Sequence, residues 1–279
     1  MDRHGVVPSL FGAPRALIGC VHLDALPGTP RGGPSVEQIA ESALRDARAY
    51  QAAGFHGVMI ENMHDRPYLR RQVGPEVVAA MTAVLARLHA EVKLPLGLQV
   101  LAGANREALA VAHATGAAFV RCEGFVFAHV ADEGFMESDA GALLRYRRAI
   151  GAEGVRVFAD VKKKHSAHAI TADVDLADTV HAAEFFLADG VIVTGAATGR
   201  PADPADVCAA VQAGAIPTFV GSGITADNVA AFAAADGFIV GTWVKQDGLW
   251  TNPVDRRRAE TLARAVAALP AGPDPAGRA

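Results

Sequence analysis

Apolar and polar positions along the chain fall into a repeated two-part pattern. A short, nearly continuous apolar run is followed by a longer segment with apolar residues three and four apart. The first kind reads as a strand buried on both faces, the second as a helix laid over it. The first run, ALIGCVHL at 16–23, opens into a Pro- and Gly-rich loop at 24–34. Ser35 can cap the next helix, with Gln38 as capping-box partner, and Gly54 stops it. Strand 57–62 leads through Asp65, Arg66 and Pro67 to a helix over about 75–92. Strand 96–100 precedes a helix at 105–115 ended by Gly116. Strand 119–124 runs into a long loop and a helix over about 141–150. Strand 155–162 is followed by a loop at 163–171 and a helix to about 188. Strand 190–194, loop 195–199 and helix 204–213 come next. Two short runs, 218–220 and 237–240, each break at a glycine turn, with an Ala-rich helix expected between them from Ile224-Thr225. A last helix covers about 254–268.

Eight such strand–helix units are the number that closes a (β/α)8 TIM barrel. The alternative, a doubly wound open sheet, expects GxGxxG after the first strand, and that motif is missing there. The predicted organisation is an α/β chain with one barrel domain at 16–269. Residues 1–15, with Gly5, Pro8, Gly12 and Pro14, read as an irregular N-terminal arm, and 270–279 as a disordered tail. The 279 residues are 51% hydrophobic, enough for a large core. A net charge of -4 gives no footprint for nucleic acid. No run of about 18 apolar residues predicts a membrane span. The N-terminus shows no leader pattern, and the scattered Cys20, Cys122 and Cys208 form no CxxC pair, so a reducing cytoplasm is expected.

In a barrel, functional groups collect at the C-terminal ends of the strands and in the loops beyond them. Those ends carry His22, Glu61-Asn62, Gln99, Arg121, Glu123, Asp160, Lys162, Lys164, His165 and Thr194. Alternate residues of a barrel strand point inward, so Asp160 and Lys162 are in phase, as are Arg121 and Glu123. A buried Asp–Lys pair can tune an amine for proton transfer or Schiff-base formation; it can also be a structural ion pair. Glu61 is a candidate general base or metal ligand, or a carboxylate paired with Arg121 across the mouth. His22 is a substrate contact or a hydrogen-bonded core histidine. The turns Gly221-Ser222-Gly223 and Gly241-Thr242, with Gly195, sit where such barrels hold a phosphate on backbone N–H groups; alone they are also compatible with plain tight turns. The loop at 125–140, with Phe125, Phe127 and Phe135, is the natural lid.

These stretches resemble the BtpA/SgcQ family of TIM-barrel proteins. The matching segments are IGCVHLDALPGTP at 18–30, GVMIENMHDRPY at 57–68, RCEGFVFAHVADEGFMESDA at 121–140 and VFADVKKKHSAH at 157–168. DGVIVTGAATG at 189–199, FVGSGITADN at 219–228 and DGFIVGTWVK at 236–245 complete the set. Met63-His64 depart from the family pattern, which has an aromatic-Gly pair there. The resemblance implies the barrel fold more firmly than an activity. The family takes its name from a role in photosystem I biogenesis, and other members are described as sugar-metabolism proteins or nucleoside triphosphatases. The GSG/GT pair is similar to that of ribulose-phosphate-binding barrels. The Asp160-x-Lys162 pair is similar to the DxK of phosphate-sugar decarboxylases, on a different strand.

The leading expectation is a cytoplasmic enzyme acting on a phosphorylated small molecule, a sugar phosphate or nucleotide, by isomerase, aldolase/lyase or glycosidic-bond chemistry. Asp160, Lys162 and Glu61 are its expected catalytic groups. His22, Asn62, Gln99, Arg121, Glu123, Lys164, His165 and Thr194 are the expected substrate contacts. Gly195, Gly221, Ser222, Gly223, Gly241 and Thr242 are expected to hold the phosphate. A phosphate substrate often brings Mg2+, for which Glu61 and Asp160 are the candidate ligands; no other cofactor is expected. The alternative is a non-catalytic assembly factor that retains the anion site. A homo-oligomer is expected, with the N-terminal arm and the apolar lid as candidate contacts.

Overall fold

The computed structural model describes residues 3–195 and 197–270. Helix α1 (Arg3–Phe11) leads into β1 (Ala16–His22), α2 (Val36–Ala52) and β2 (Gly57–Glu61). Next come α3 (Pro75–Glu91), β3 (Leu96–Gln99), α4 (Asn105–Thr115) and β4 (Phe119–Cys122). A hairpin of β5 (His129–Ala131) and β6 (Gly134–Met136) precedes α5 (Ala140–Ala149) and β7 (Arg156–Val161). The short β8 (Ser166–Ala167), α6 (Leu176–Phe185), β9 (Gly190–Val193) and α7 (Pro204–Ala213) follow. The final elements are β10 (Thr218–Val220), β11 (Gly237–Val240) and α8 (Arg256–Ala267). Eight strands close a parallel barrel in the order β1-β2-β3-β4-β7-β9-β10-β11, with β11 paired to β1.

Local chemistry sets the helix ends. Ser35 and Gln38 form the reciprocal capping box at the start of α2. Gly116, at φ 75°, ends α4 in the left-handed conformation that glycine adopts without strain. The unit after β10 differs from expectation: only a 3-10 turn, Val229–Phe232, stands where an Ala-rich helix was predicted. Thr225 and Asn228 bond each other's backbone N–H groups through their side chains, at 2.8 and 3.2 Å. Asn228 also donates to the Gly223 carbonyl at 2.8 Å. Such local bonds compete with a helical first turn.

The barrel interior is packed, with Ile18, Met59, Phe119, Phe158, Ile192, Phe219 and Ile239 buried in it. The Phe119–Phe158 and Phe158–Phe219 ring centroids lie 5.5 and 4.7 Å apart. From the N-terminal end Phe11 enters this stack, 5.6 Å from Phe119 and 6.4 Å from Phe219. Residues 3–11 of the predicted irregular arm are therefore a helix. Val6, Val7 and Phe11 are buried and make α1 a plug for the bottom of the barrel. Of the predicted tail, Pro270 accepts a hydrogen bond from Arg15 at 3.2 Å, and 271–279 lie outside the described residues.

At the opposite end, β5 pairs antiparallel with β6 and with β8, forming a small sheet beyond the C-terminal ends of β4 and β7. This is the predicted lid segment. No helix among the described residues is long and apolar enough to cross a membrane.

Candidate functional site

Register brings the polar strand ends together. His22 lies beside Glu61, and Glu61 beside Gln99, on three adjacent strands. Arg121 on β4 is the hub. Its Nε and Nη2 donate to the two Asp160 oxygens at 2.9 and 3.1 Å, and its Nη1 to Glu61 Oε1 at 3.3 Å. Arg121, Asp160 and Glu61 are all buried. The bidentate geometry fits a guanidinium to a carboxylate at both oxygens, so Asp160 is committed to orienting Arg121.

Two adjoining cavities open at the mouth, of about 200 and 310 Å³. Glu61, Met63, Arg121, Lys164 and Thr198 line both. The first also meets His22 and the turn residues Gly221, Ser222, Gly223, Gly241 and Thr242. The second runs over Gln99, Glu123, His165, Tyr68 and Trp250. Gln99 is buried and its side-chain amide nitrogen has no hydrogen-bond partner among the described residues.

Several expected site residues lie elsewhere. Lys162 does not pair with Asp160. Strand β7 ends at Val161, Lys162 adopts φ 50°, and its ammonium donates to the Thr171 and Val174 carbonyls outside the mouth. The break in alternation turns Lys163 onto Glu123 at 3.1 Å and Glu133 at 3.5 Å, and sends Lys164 into the cavities. Asn62 is structural: it donates to Asp65 at 2.9 Å and accepts from the Leu101 N–H at 2.7 Å. Asp65 in turn accepts from Leu26 N–H at 2.8 Å, so the pair clamps the loops after β1, β2 and β3. Thr194 supports Lys164, accepting from its backbone N–H at 3.2 Å. Gly195 packs against the Arg200 and Pro201 carbonyls, where a Cβ would come within 2.3 Å of Arg200 O. The Ser222 hydroxyl donates to Arg200 O at 2.7 Å. His165 Nε2 lies 3.0 Å from Thr198 Oγ1.

Charge at the mouth follows from burial and from Arg121. Burial pushes the Glu61 carboxyl up, but the positive charge of Arg121 first, with that of Lys164, outweighs it and holds Glu61 below its ordinary value. Burial, and then Lys245, lower His22 to about 4, so its imidazole is neutral at pH 7. Burial and then Arg121 lower the Lys164 amine. No side chain among the described residues pairs with the Lys164 ammonium.

Residues 13–268 match the BtpA family. The chain belongs to that family. A Caenorhabditis elegans relative, named as an uncharacterized mitochondrial protein, is 43% identical over 96% of this chain and 99% of its own length. An uncharacterized Pyrococcus furiosus protein is 41% identical over 90% and 94%. The Synechocystis photosystem I biogenesis protein BtpA is 36% identical over 92% and 90%. Among solved structures, the (S)-3-O-geranylgeranylglyceryl phosphate synthase of Thermoplasma acidophilum superposes with a TM-score of 0.59 at 15% identity, covering 95% of this chain and 98% of that one. The phosphoribosyl anthranilate isomerase of Thermus thermophilus gives 0.56 at 13%, covering 91% and 100%. At such identities the likeness is one of fold.

In this BtpA-family barrel the mouth residues that sequence reasoning missed include Cys20, Tyr68 and Trp250. Cys20 had a usable signal, since it stands two residues before His22 on one strand and so faces the same side. Trp250 had none: it arrives from the segment between β11 and α8, and its carbonyl lies 2.8 Å from His22 Nδ1.

Proposed function

We propose that this BtpA-family barrel is an enzyme acting on a phosphorylated small molecule, a sugar phosphate or nucleotide, by isomerase, aldolase/lyase or glycosidic-bond chemistry. One observation carries the reading. Lys164 is a half-buried amine, lowered by desolvation, without a paired carboxylate among the described residues, standing between the glycine turns and the acid-lined second cavity. A lysine of that kind holds a phosphate oxygen, moves a proton or attacks a carbonyl. Backbone N–H groups of the turns at 221–223 and 241–242 would share the phosphate with it. The rest of the substrate would extend over Gln99, whose unpartnered amide offers a donor, and Glu123. Glu61, held ionised by Arg121, is the accepting partner. Lys164 takes the role expected of Lys162. Likeness of fold to enzymes named for phosphorylated compounds supports the same class.

The test is a thermal-shift screen against pentose and hexose phosphates, nucleotides and inorganic phosphate, each with and without Mg2+. A ligand at 100 times its Kd stabilises by about 2.7 kcal/mol. Lys164→Met is expected to abolish the shift of any hit. Silence across the panel would sink the phosphorylated-substrate reading. The cytoplasm remains the proposed location, against the mitochondrial name of the C. elegans relative.

Two observations favour the assembly-factor reading: the lid exposes Phe127, Val130 and Phe135, and the Synechocystis relative is named for photosystem I biogenesis. A lid that binds a protein partner while the mouth binds no small molecule would replace the first reading.

A further inference from the structure

One group of donors at the mouth has no part in holding a phosphate. Cys20 and His22 lie two residues apart on β1, and His22 is in register with Glu61 on β2. Cys20 Sγ, a His22 ring nitrogen and a Glu61 carboxylate oxygen all lie within 4.8 Å of one another. All three residues line the first cavity.

Hydrogen bonding fixes what each atom offers. The Trp250 carbonyl, 2.8 Å from His22 Nδ1, can only accept. Nδ1 therefore carries the proton and Nε2 bears the lone pair. That lone pair faces Glu61 Oε2 at 3.9 Å. The other Glu61 oxygen, Oε1, accepts from Arg121 at 3.3 Å, an ion pair that keeps the carboxylate charged. A lone pair directed at a carboxylate oxygen is repulsive, and a cation between them turns the contact into attraction. The Cys20 thiol, within 4.8 Å of both His22 and Glu61 donor atoms, adds a third donor. Gly241 leaves the room, since a Cβ there would come 2.8 Å from His22 Nε2.

The geometry points to a zinc-type transition-metal site made by Cys20 Sγ, His22 Nε2 and Glu61 Oε2. Small side-chain rotations would bring these donors to the bond lengths of roughly 2.0–2.3 Å that zinc takes to nitrogen, oxygen and sulfur. On binding, the metal–sulfur bond replaces the S–H bond and the thiol proton leaves to solvent. Thiolate and imidazole select zinc and its neighbours, whereas Mg2+ takes an oxygen shell. The Mg2+ expectation at Glu61 and Asp160 shares only Glu61 with this site, because Asp160 is held by Arg121. The Trp250 carbonyl and the Arg121 guanidinium are the outer contacts that orient the ligands. Three protein ligands leave a fourth position toward the cavity and its glycine turns, the arrangement of a catalytic zinc rather than a structural one. A metal there would polarise a bound oxygen beside Lys164, and proton transfer would fall to Lys164, since Glu61 is then a ligand. The inference does not depend on the substrate being phosphorylated.

Metal-free protein titrated with Zn2+ against a chromophoric chelator gives the stoichiometry and affinity. Co2+ in place of Zn2+ reports the ligands by its spectrum. One equivalent of Zn2+ is expected, with a thiolate-to-cobalt charge-transfer band in the near ultraviolet. Cys20→Ser should remove that band, and His22→Ala should weaken Zn2+ binding by at least about 100-fold. Cys208→Ser, at an exposed thiol, should leave both unchanged. Circular dichroism checks that each variant is folded, and His22→Gln replaces His22→Ala if the latter is not. Sub-stoichiometric Zn2+, a cobalt spectrum of the wild type without the thiolate band, or wild-type affinity in folded Cys20→Ser would each overturn the site.

Discussion

At the scale of single residues, the run 162–164 shows how the backbone chooses among equivalent side chains. Three lysines in a row cannot be ranked by sequence, and strand alternation selected Lys162. The positive φ at Lys162 ends that alternation, so three ammonium groups leave in three directions. One caps loop carbonyls, one joins Glu123 and Glu133, and one enters the cavities. Lys164→Met is therefore expected to lower turnover by about 10²–10⁴, the usual worth of a proton-transferring group, while Lys162→Met leaves it near the wild-type rate. Steady-state kinetics of the two variants on any substrate found decide this; equal losses would remove the distinction. His129 supports a second prediction. Burial, then Lys163, lower its imidazole to about 4. A folded value below the unfolded one means that the unfolded chain takes up the proton first. Stability from this group is present above about 6.5 and falls as pH drops toward 4. Asp139, raised by burial to about 6 despite Arg71, has the opposite slope in part of that range. The informative quantity is thus the difference between wild type and His129→Gln, with the variant expected to lose less Tm between pH 6.5 and 4. Parallel Tm curves would sink this account.

At the scale of elements, the N-terminal helix converts a short apolar set into closure of the barrel floor. Phe11 contacts two rings of the interior stack, and a Cβ on Gly57 would come 2.8 Å from its ring. Phe11→Ala removes a ring that nothing else on α1 replaces. The expected cost is about 3–5 kcal/mol, as for other buried Phe→Ala changes, read from the urea midpoint at constant m. A loss under about 1 kcal/mol would mean that the floor collapses to refill the space. Why this helix was illegible is physical: Gly5, Pro8 and Gly12 lower helix propensity, and only the barrel makes Val7 and Phe11 worth burying on one face. The barrel strands were legible because burial on both faces makes them unbroken apolar runs, as in GVIV of β9 and GVMI of β2. The 3-10 turn after β10 escaped notice because Thr225 and Asn228 look like helix caps when they are in fact bonding each other. At the site, Glu61, Gln99, Arg121 and Glu123 could be read from strand phase, whereas Lys163, Lys164 and Trp250 depend on loop conformations that no periodicity encodes.

At the scale of the whole molecule, the two ends of the barrel are closed differently, and this bears on association. The floor is sealed by α1, whose apolar residues are spent inward, so it is a poor subunit contact. The mouth carries the lid, which exposes Phe127 and Phe135. The third apolar surface is Phe185, Phe186 and Leu187 at the end of α6, with Phe185 82% and Leu187 63% exposed. Leu187 also holds φ 66°, a conformation that bulky side chains seldom adopt. Contiguous exposed apolar side chains of this size mark contact surfaces more often than free ones. A homo-oligomer closed through the α6 end would bury them and leave the mouth open to ligand. Light scattering at micromolar concentration is then expected to give a multiple of the 28.9 kDa chain mass. Phe185→Glu combined with Leu187→Glu should reduce it to one chain while ligand-induced thermal shifts persist. Phe127→Ser with Phe135→Ser should do the reverse, altering ligand response without changing the mass. A wild-type protein that scatters as a single chain removes self-association as the use of this surface.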